Sequence, residues 1–277
     1  MLDHVIYRLL GLAPSSVVER LRRAPRLALV VDRVVSVVSW PLQGKTVTIR
    51  GGEAAGLLFR VPRSSTVWLS GKVEEPVQAA LRRELRRGNV FFDVGANVGF
   101  FTILGARLVG PSGKVVAFEP HPANVEALRA NVEANLFENV VVVPKAVSAA
   151  TGEKLLDVRS AALAKLVEDR EEPGSAERVP ATSIDEFVSA HADLIPDVLK
   201  IDVEGYEVEL LSGMRKTLSQ YGPVIVCEMH GRNASVQRSL AEFGYTLEVI
   251  DGAGSVEDAP PWAHVVARPG SSRGLGT

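Results

Sequence analysis

Residues 91–102 read FFDVGANVGFFT. Phe91, Phe92 and Val94 make an apolar strand that ends on an acid, Asp93, and a glycine turn follows. From Val98 to Leu108 the apolar run predicts a helix whose first amides point back at the turn. Gly95 and Gly99 are placed where backbone has to come close to a ligand that a Cβ would exclude. The pattern is a nucleotide-type turn without the dinucleotide fingerprint. G-x-G-x-x-G needs glycine at 95, 97 and 100, and the chain has Gly95, Asn97 and Phe100.

Asp93 stands where a pyrophosphate would approach, and two anions there repel. A positively charged ligand suits that carboxylate better. S-adenosylmethionine has an ammonium, a sulfonium and no phosphate, so the turn predicts a cationic donor of this type.

Working outward, strands and helices alternate. Strands are predicted over 89–95, 114–120, 139–144, 198–205 and 223–229, with two more at 245–250 and 264–268. Helices are predicted over 122–135, 206–220 and 234–243. Repeated βα units with strands apolar on both faces indicate an α/β fold, a doubly wound, mostly parallel sheet of seven strands. The stretch 149–179 breaks the rhythm; it is charged, contains Pro173-Gly174 and is predicted to be a surface insertion or lid. Upstream, 75–87 reads as a helix with Pro76 in its first turn. Short β pieces are predicted within 45–69, and helix over 1–42. The division is an accessory segment over 1–70 and the main domain over 71–270.

Bulk properties narrow the function. With 31 basic and 33 acidic residues among 277, nothing marks a nucleic-acid surface. Cys227 is the only cysteine, so there is neither an internal disulfide nor a cysteine zinc cluster, which fits a reducing cytoplasm. Leu27 to Trp40 is apolar but interrupted by Asp32 and Arg33, too short for the roughly 20 residues of a membrane span. It reads as a helix packed on the domain, or as an amphipathic contact with a membrane or lipid-linked substrate.

In open α/β sheets the ligand lies at the carboxyl ends of the strands. The strand ends carry Asp93, then Glu119 before Pro120, then Lys145, Ala146 and Val147, then Asp202 and Glu204, then Glu228 and His230. Glu119 lies twenty residues past Gly99, a spacing that suits a carboxylate accepting ribose hydroxyls, and Ala146 and Val147 suit an adenine ring.

These residues resemble the FkbM-type methyltransferases, S-adenosylmethionine-dependent enzymes of the Rossmann-like class I fold. The resemblance covers about 68–251. It is carried by WLSGKVEEP, DVGANVGFFT, AFEPHPANVEALRANVEAN, VPATSIDEF and above all VLKIDVEGYEVELLSGM. It implies O-methylation of a hydroxyl on a sugar, glycolipid or other natural product, with S-adenosylhomocysteine as the second product. It also places the cofactor turn on Asp93, Gly95, Asn97 and Gly99, the ribose acid on Glu119, and an acid near the methionine end on Glu75. The chain departs from the family where Glu74 replaces the usual aromatic and where Val147-Ser148 replaces Gly-Asp.

Methyl transfer to an alcohol needs a base for the hydroxyl proton. Asp202 and His230 are the candidates, one as base and one orienting the acceptor, with Glu204 and Glu228 shaping the site. Asp202, Glu228 and His230 could instead hold Mg²⁺ or Mn²⁺, as in a catechol-type enzyme. An NAD-dependent oxidoreductase is opposed by Asp93 and by the missing glycine at Asn97. A base-methylating enzyme is opposed by strand four, which lacks the Asn/Asp-Pro-Pro-aromatic signature.

Overall fold

The structure, a computed structural model, describes residues 44–61, 67–157, 165–167, 176–252 and 254–270. The helix expected over 1–42, with its apolar stretch at 27–40, lies outside the described residues.

In chain order, a hairpin of β1 (Thr46–Thr48) and β2 (Leu58–Arg60) leads through a 3₁₀ turn at Val67–Ser70 to α1 (Glu75–Glu84). The repeating units follow: β3 (Val90–Val94), α2 (Phe100–Val109), β4 (Lys114–Phe118), α3 (Pro122–Ala134) and β5 (Val140–Val143). Four short strands come next: β6 (Ala146–Val147), β7 (Gly152–Asp157), β8 (Lys165–Val167) and β9 (Ala176–Thr182). Then come α4 (Ile184–Ala190), β10 (Val198–Ile201), α5 (Glu207–Ser212), α6 (Arg215–Gln220), β11 (Val224–Glu228), α7 (Asn233–Ala241), β12 (Tyr245–Val249) and β13 (His264–Pro269).

The main sheet has seven strands in the order β12-β13-β11-β10-β3-β4-β5. Only β13 runs against its neighbours. The order reverses between β3 and β10, which places the crevice for a ligand at their carboxyl ends. The central strands are apolar on both faces because helices cover both: Phe92, Leu199 and Ile225 face one core, and Phe91, Val115 and Val226 the other. Helix α2 lies deep in the second core, which explains why eight of its ten residues are buried.

The described part of the accessory segment shares this core. Ile49 and Phe59 pack with Phe100 and Phe101. Asn131 Oδ1 accepts from Arg60 N and its Nδ2 donates to Val98 O, which pins the hairpin beside the turn after β3.

Two expectations need correction. The stretch 149–179 is not a free insertion. Strands β7 and β9 pair over six residues, and β6 joins β9 to make a four-stranded sheet with β8 at its far edge. The helix expected over 206–220 is two helices. At Gly213, between them, a Cβ would stand 2.3 Å from Ser148 O, so the chain bends where backbone meets backbone.

Candidate active site at the carboxyl ends of the sheet

A cleft opens at the switch point, where open α/β sheets take their ligands. Gly95, Asn97, Glu119, Pro120, Ala146, Val147, Asp202 and Glu204 all line it, as expected of cofactor and acceptor residues. Leu156 of β7 and Leu166 of β8 line it too, so the small sheet supplies an apolar wall.

The floor is the turn after β3. Asn97 takes a left-handed conformation, φ 50°, which aims its N–H at Glu119 Oε2, 2.9 Å away. Glu119 Oε1 accepts from His121 N at 2.9 Å and from Asn124 Nδ2 at 3.3 Å. Burial raises this carboxyl from its ordinary 4.5 to about 7, against the pull of those three donors. The acid is thus held at the end of β4 by three donors.

Three of the expected cofactor residues are absent from the cleft lining: Asp93, Gly99 and Glu75. Asp93 does not line the cleft. It is fully buried beneath it, where Thr102 Oγ1 donates to Oδ2 at 2.6 Å. Burial raises its pKa and the neighbouring Lys200 ammonium opposes that rise. Asp93 is therefore a brace under the floor, held by Thr102 and the charge of Lys200. At Gly99 a Cβ would press on Leu128 of α3, at 3.0 Å from Cγ. Glu75, the first residue of α1, has a neighbour better placed than itself. Glu74 has φ 45° and directs Oε2 to within 3.6 Å of His264 Nε2.

The other side of the site is a cluster of acids and histidines. Lys200, buried, donates to Asp202 Oδ2 at 3.1 Å and lies 5.0 Å from the centre of the Phe101 ring. Burial would raise Asp202, but Lys200 and then His230 hold its carboxyl below the usual range. Burial and the charge of Asp202 push Glu204 up. His230 Nδ1 lies 2.8 Å from Oε1 of the fully buried Glu207. Its Nε2 faces Glu204 Oε2 at 3.5 Å, Glu228 Oε1 at 3.6 Å and Asp202 Oδ1 at 3.8 Å. Burial opposes its charge, yet Glu207, Glu228 and Asp202 outweigh burial and lift the imidazole to about 9. His264, paired with Asp251 at 2.8 Å, is lifted against burial to about 12 by Asp251, Glu228 and Glu74.

Glu74, Glu207, Asn124 and His264 are site residues that the strand-end reading missed. A strand-end rule finds groups carried by strands 1 to 5; these come from a helix cap, two helices and the antiparallel last strand. Backbone strain marks one of them, Glu74. Five non-glycine residues have positive φ among the described residues, and four, Glu74, Asn97, Glu204 and His230, lie at this site.

The lining fits a cationic nucleoside ligand: Glu119 follows β4 on one side of β3, Asp202 and Glu204 follow β10 on the other, and apolar Val147, Leu156 and Leu166 line the same cleft. When bound, S-adenosylmethionine would supply an electrophilic methyl group on sulfur.

The Methyltransferase FkbM domain profile matches residues 93–254. The chain is 28% identical over 231 residues to the hexuronic acid methyltransferase AglP of Haloferax volcanii, covering 79% of this chain and 92% of that protein. It is 58% identical over 48 residues to the 31-O-demethyl-FK506 methyltransferase FkbM of Streptomyces tacrolimicus, a match that covers 17% of this chain and 18% of that one. Among solved structures, methyltransferase FkbM from Methylobacillus flagellatus KT aligns with a TM-score of 0.48 and 13% identity, over 96% of this chain and 58% of that one. Among the described residues, no helix is long and apolar enough to cross a membrane. The profile spans well over half of the chain, and the protein belongs to the FkbM family of S-adenosylmethionine-dependent methyltransferases.

Proposed function

We propose that the protein methylates a hydroxyl on a sugar or a sugar-bearing small molecule. The observation that carries this reading is that one cleft is lined by Glu119, which follows β4, and by Asp202 and Glu204, which follow β10 on the other side of β3. A relative named for hexuronic acid, aligned over most of both chains, supports a sugar as the acceptor.

In this reading Glu119 accepts the ribose hydroxyls, Ala146 and Val147 flank the adenine, and Asp202 and Glu204 face the sulfonium end. In-line displacement requires the acceptor oxygen behind the methyl carbon at about 3 Å. The C–O bond forms as the C–S bond breaks, and the hydroxyl proton goes to a carboxylate. Glu204 is that carboxylate. Asp202 is engaged by Lys200 through Oδ2, and His230 by Glu207 through Nδ1, so Glu204 is the carboxylate left to take the proton. His230 and Asp202 orient the acceptor.

The test is incubation with methyl-labelled cofactor and a set of methyl glycosides of neutral hexoses and hexuronic acids. Label in a product stable to mild alkali is an ether and supports the reading. An alkali-labile methyl ester would move the reaction to a carboxylate, and label in protein alone would overturn it.

A further inference from the structure

We propose that Asp202, Glu228 and His230 bind one divalent transition-metal ion, Mn²⁺ or Zn²⁺ in preference to Mg²⁺. Each offers one ligand atom, and these atoms lie within 4.8 Å of one another. The separations are those of a coordination sphere before it tightens. His230 Nε2 is 3.6 Å from Glu228 Oε1 and 3.8 Å from Asp202 Oδ1. Ligands about 2.0–2.2 Å from a common ion stand roughly 3.0–3.6 Å from one another, so the two separations to His230 are already near that range.

The outer partners make the stronger argument. Ligating imidazoles characteristically donate their second nitrogen to a carboxylate, which fixes the ring and its tautomer. His230 does so: Nδ1 is held at 2.8 Å by Glu207 Oε1, and that oxygen is itself fixed by Gly205 N at 2.9 Å. Asp202 has Oδ2 taken by Lys200, which leaves Oδ1 toward the cluster. Glu228 has Oε2 turned to His264 at 3.6 Å, which leaves Oε1 toward His230. Three ligand atoms converge, and each ligand is anchored from behind by a different residue. Glu204 Oε2, 3.5 Å from His230 Nε2, stands ready as a fourth contact or as a partner for ion-bound water.

One nitrogen with two carboxylate oxygens is a borderline donor set. It favours Mn²⁺ or Zn²⁺ over Mg²⁺, which prefers all-oxygen sites and keeps its water. The ion would face the sulfonium end of the cleft, where it can bind an acceptor oxygen and lower its pKa. That use rests on the methyl-transfer reading above; binding itself does not.

The full chain, stripped with chelator and shown by calorimetry to bind S-adenosylhomocysteine, is titrated with Mn²⁺ under electron paramagnetic resonance and with Zn²⁺ by calorimetry. One saturable ion per chain is expected. Glu228→Gln and Asp202→Asn should abolish binding, and Glu207→Gln should weaken it about 10–100-fold. S-adenosylhomocysteine binding by Glu228→Gln shows that this variant is folded. No saturable binding to stripped, cofactor-competent protein at millimolar metal overturns the proposal, as does binding indifferent to both ligand substitutions. Methyl transfer that persists in the stripped protein removes the ion's catalytic use and leaves the function; a bound ion without methyl transfer keeps the site and removes the function.

Discussion

Gly95 and Asp202 meet backbone to backbone across the switch point: a Cβ on Gly95 would stand 1.8 Å from the carbonyl oxygen of Asp202. The glycine is there for the protein's own chain. Its φ of 77° turns β3 out of the sheet, where Gly95 N and Ala96 N both donate to Phe118 O. Gly95→Ala therefore combines left-handed strain with a backbone collision. It should cost at least about 2 kcal/mol in urea denaturation and weaken S-adenosylhomocysteine binding. A variant as stable as the parent would show that the two turns can separate freely.

Beneath that contact lies Lys200, buried between Asp93 and Asp202. Lys200→Met leaves two carboxylates without their cation in a low-dielectric layer. Removing one partner of such a cluster costs about 3–5 kcal/mol. Adding Asp93→Asn should return part of that loss, because the uncompensated charge disappears. The readout is the midpoint of chemical denaturation for the two variants. If the double variant is the less stable, Asp93 holds the fold by something other than charge.

The architecture was legible because strands such as VFFDV and VLKI are apolar on both faces, and only a two-sided covering of helices accommodates that. The cleft was legible because strand ends converge at the switch point, and Gly95, Asn97, Glu119, Ala146, Val147, Asp202 and Glu204 do line it. Side-chain direction was not legible. Asp93 and Asp202 both belong to strand ends, yet one points under the floor and the other into the cleft. Gly99 shows the same limit from the other side, since a glycine demanded by a neighbouring helix reads like one demanded by a ligand. The β7–β9 pairing was hidden because 149–179 is charged and broken by Pro173-Gly174, and its partners are not adjacent in sequence.

Glu74 is a residue where function and stability should part. It holds a left-handed conformation and a buried Oε2 without a hydrogen-bond partner. Glu74→Gly relieves the conformational strain, worth about 1 kcal/mol, and removes the orphaned oxygen. Its melting temperature should rise while kcat/KM falls, because His264 loses one of its acids. Glu75→Ala, one residue along and outside the cluster, should leave kcat/KM near the parent value. Equal effects at the two positions would return the role to Glu75.

Glu204 carries the proton in the proposed reaction. Glu204→Gln keeps the shape and the polar surface but removes the proton acceptor, so kcat should fall by about 10²–10⁴-fold. Binding of S-adenosylhomocysteine should change little in calorimetry. A variant that turns over normally assigns the proton to Asp202 or to solvent.

Glu119 makes cofactor affinity pH-dependent in a defined direction. Its carboxyl rises from 4.5 in the unfolded chain to about 7 in the folded one. Its contribution to folding stability is therefore complete below about 4.5 and is lost as pH climbs through 7. Ligand binding runs the other way. Only the ionised acid can accept two hydroxyls while it still receives Asn97 N, His121 N and Asn124 Nδ2, so affinity for S-adenosylhomocysteine should strengthen as pH rises. The slope should approach tenfold per unit below about 7 and flatten above it. Glu119→Gln should bind more weakly at pH 8 and remove that slope. Calorimetry at half-unit steps from pH 5.5 to 8.5 reads both curves. A parent slope that survives in Glu119→Gln would assign the titration to another group at the cleft.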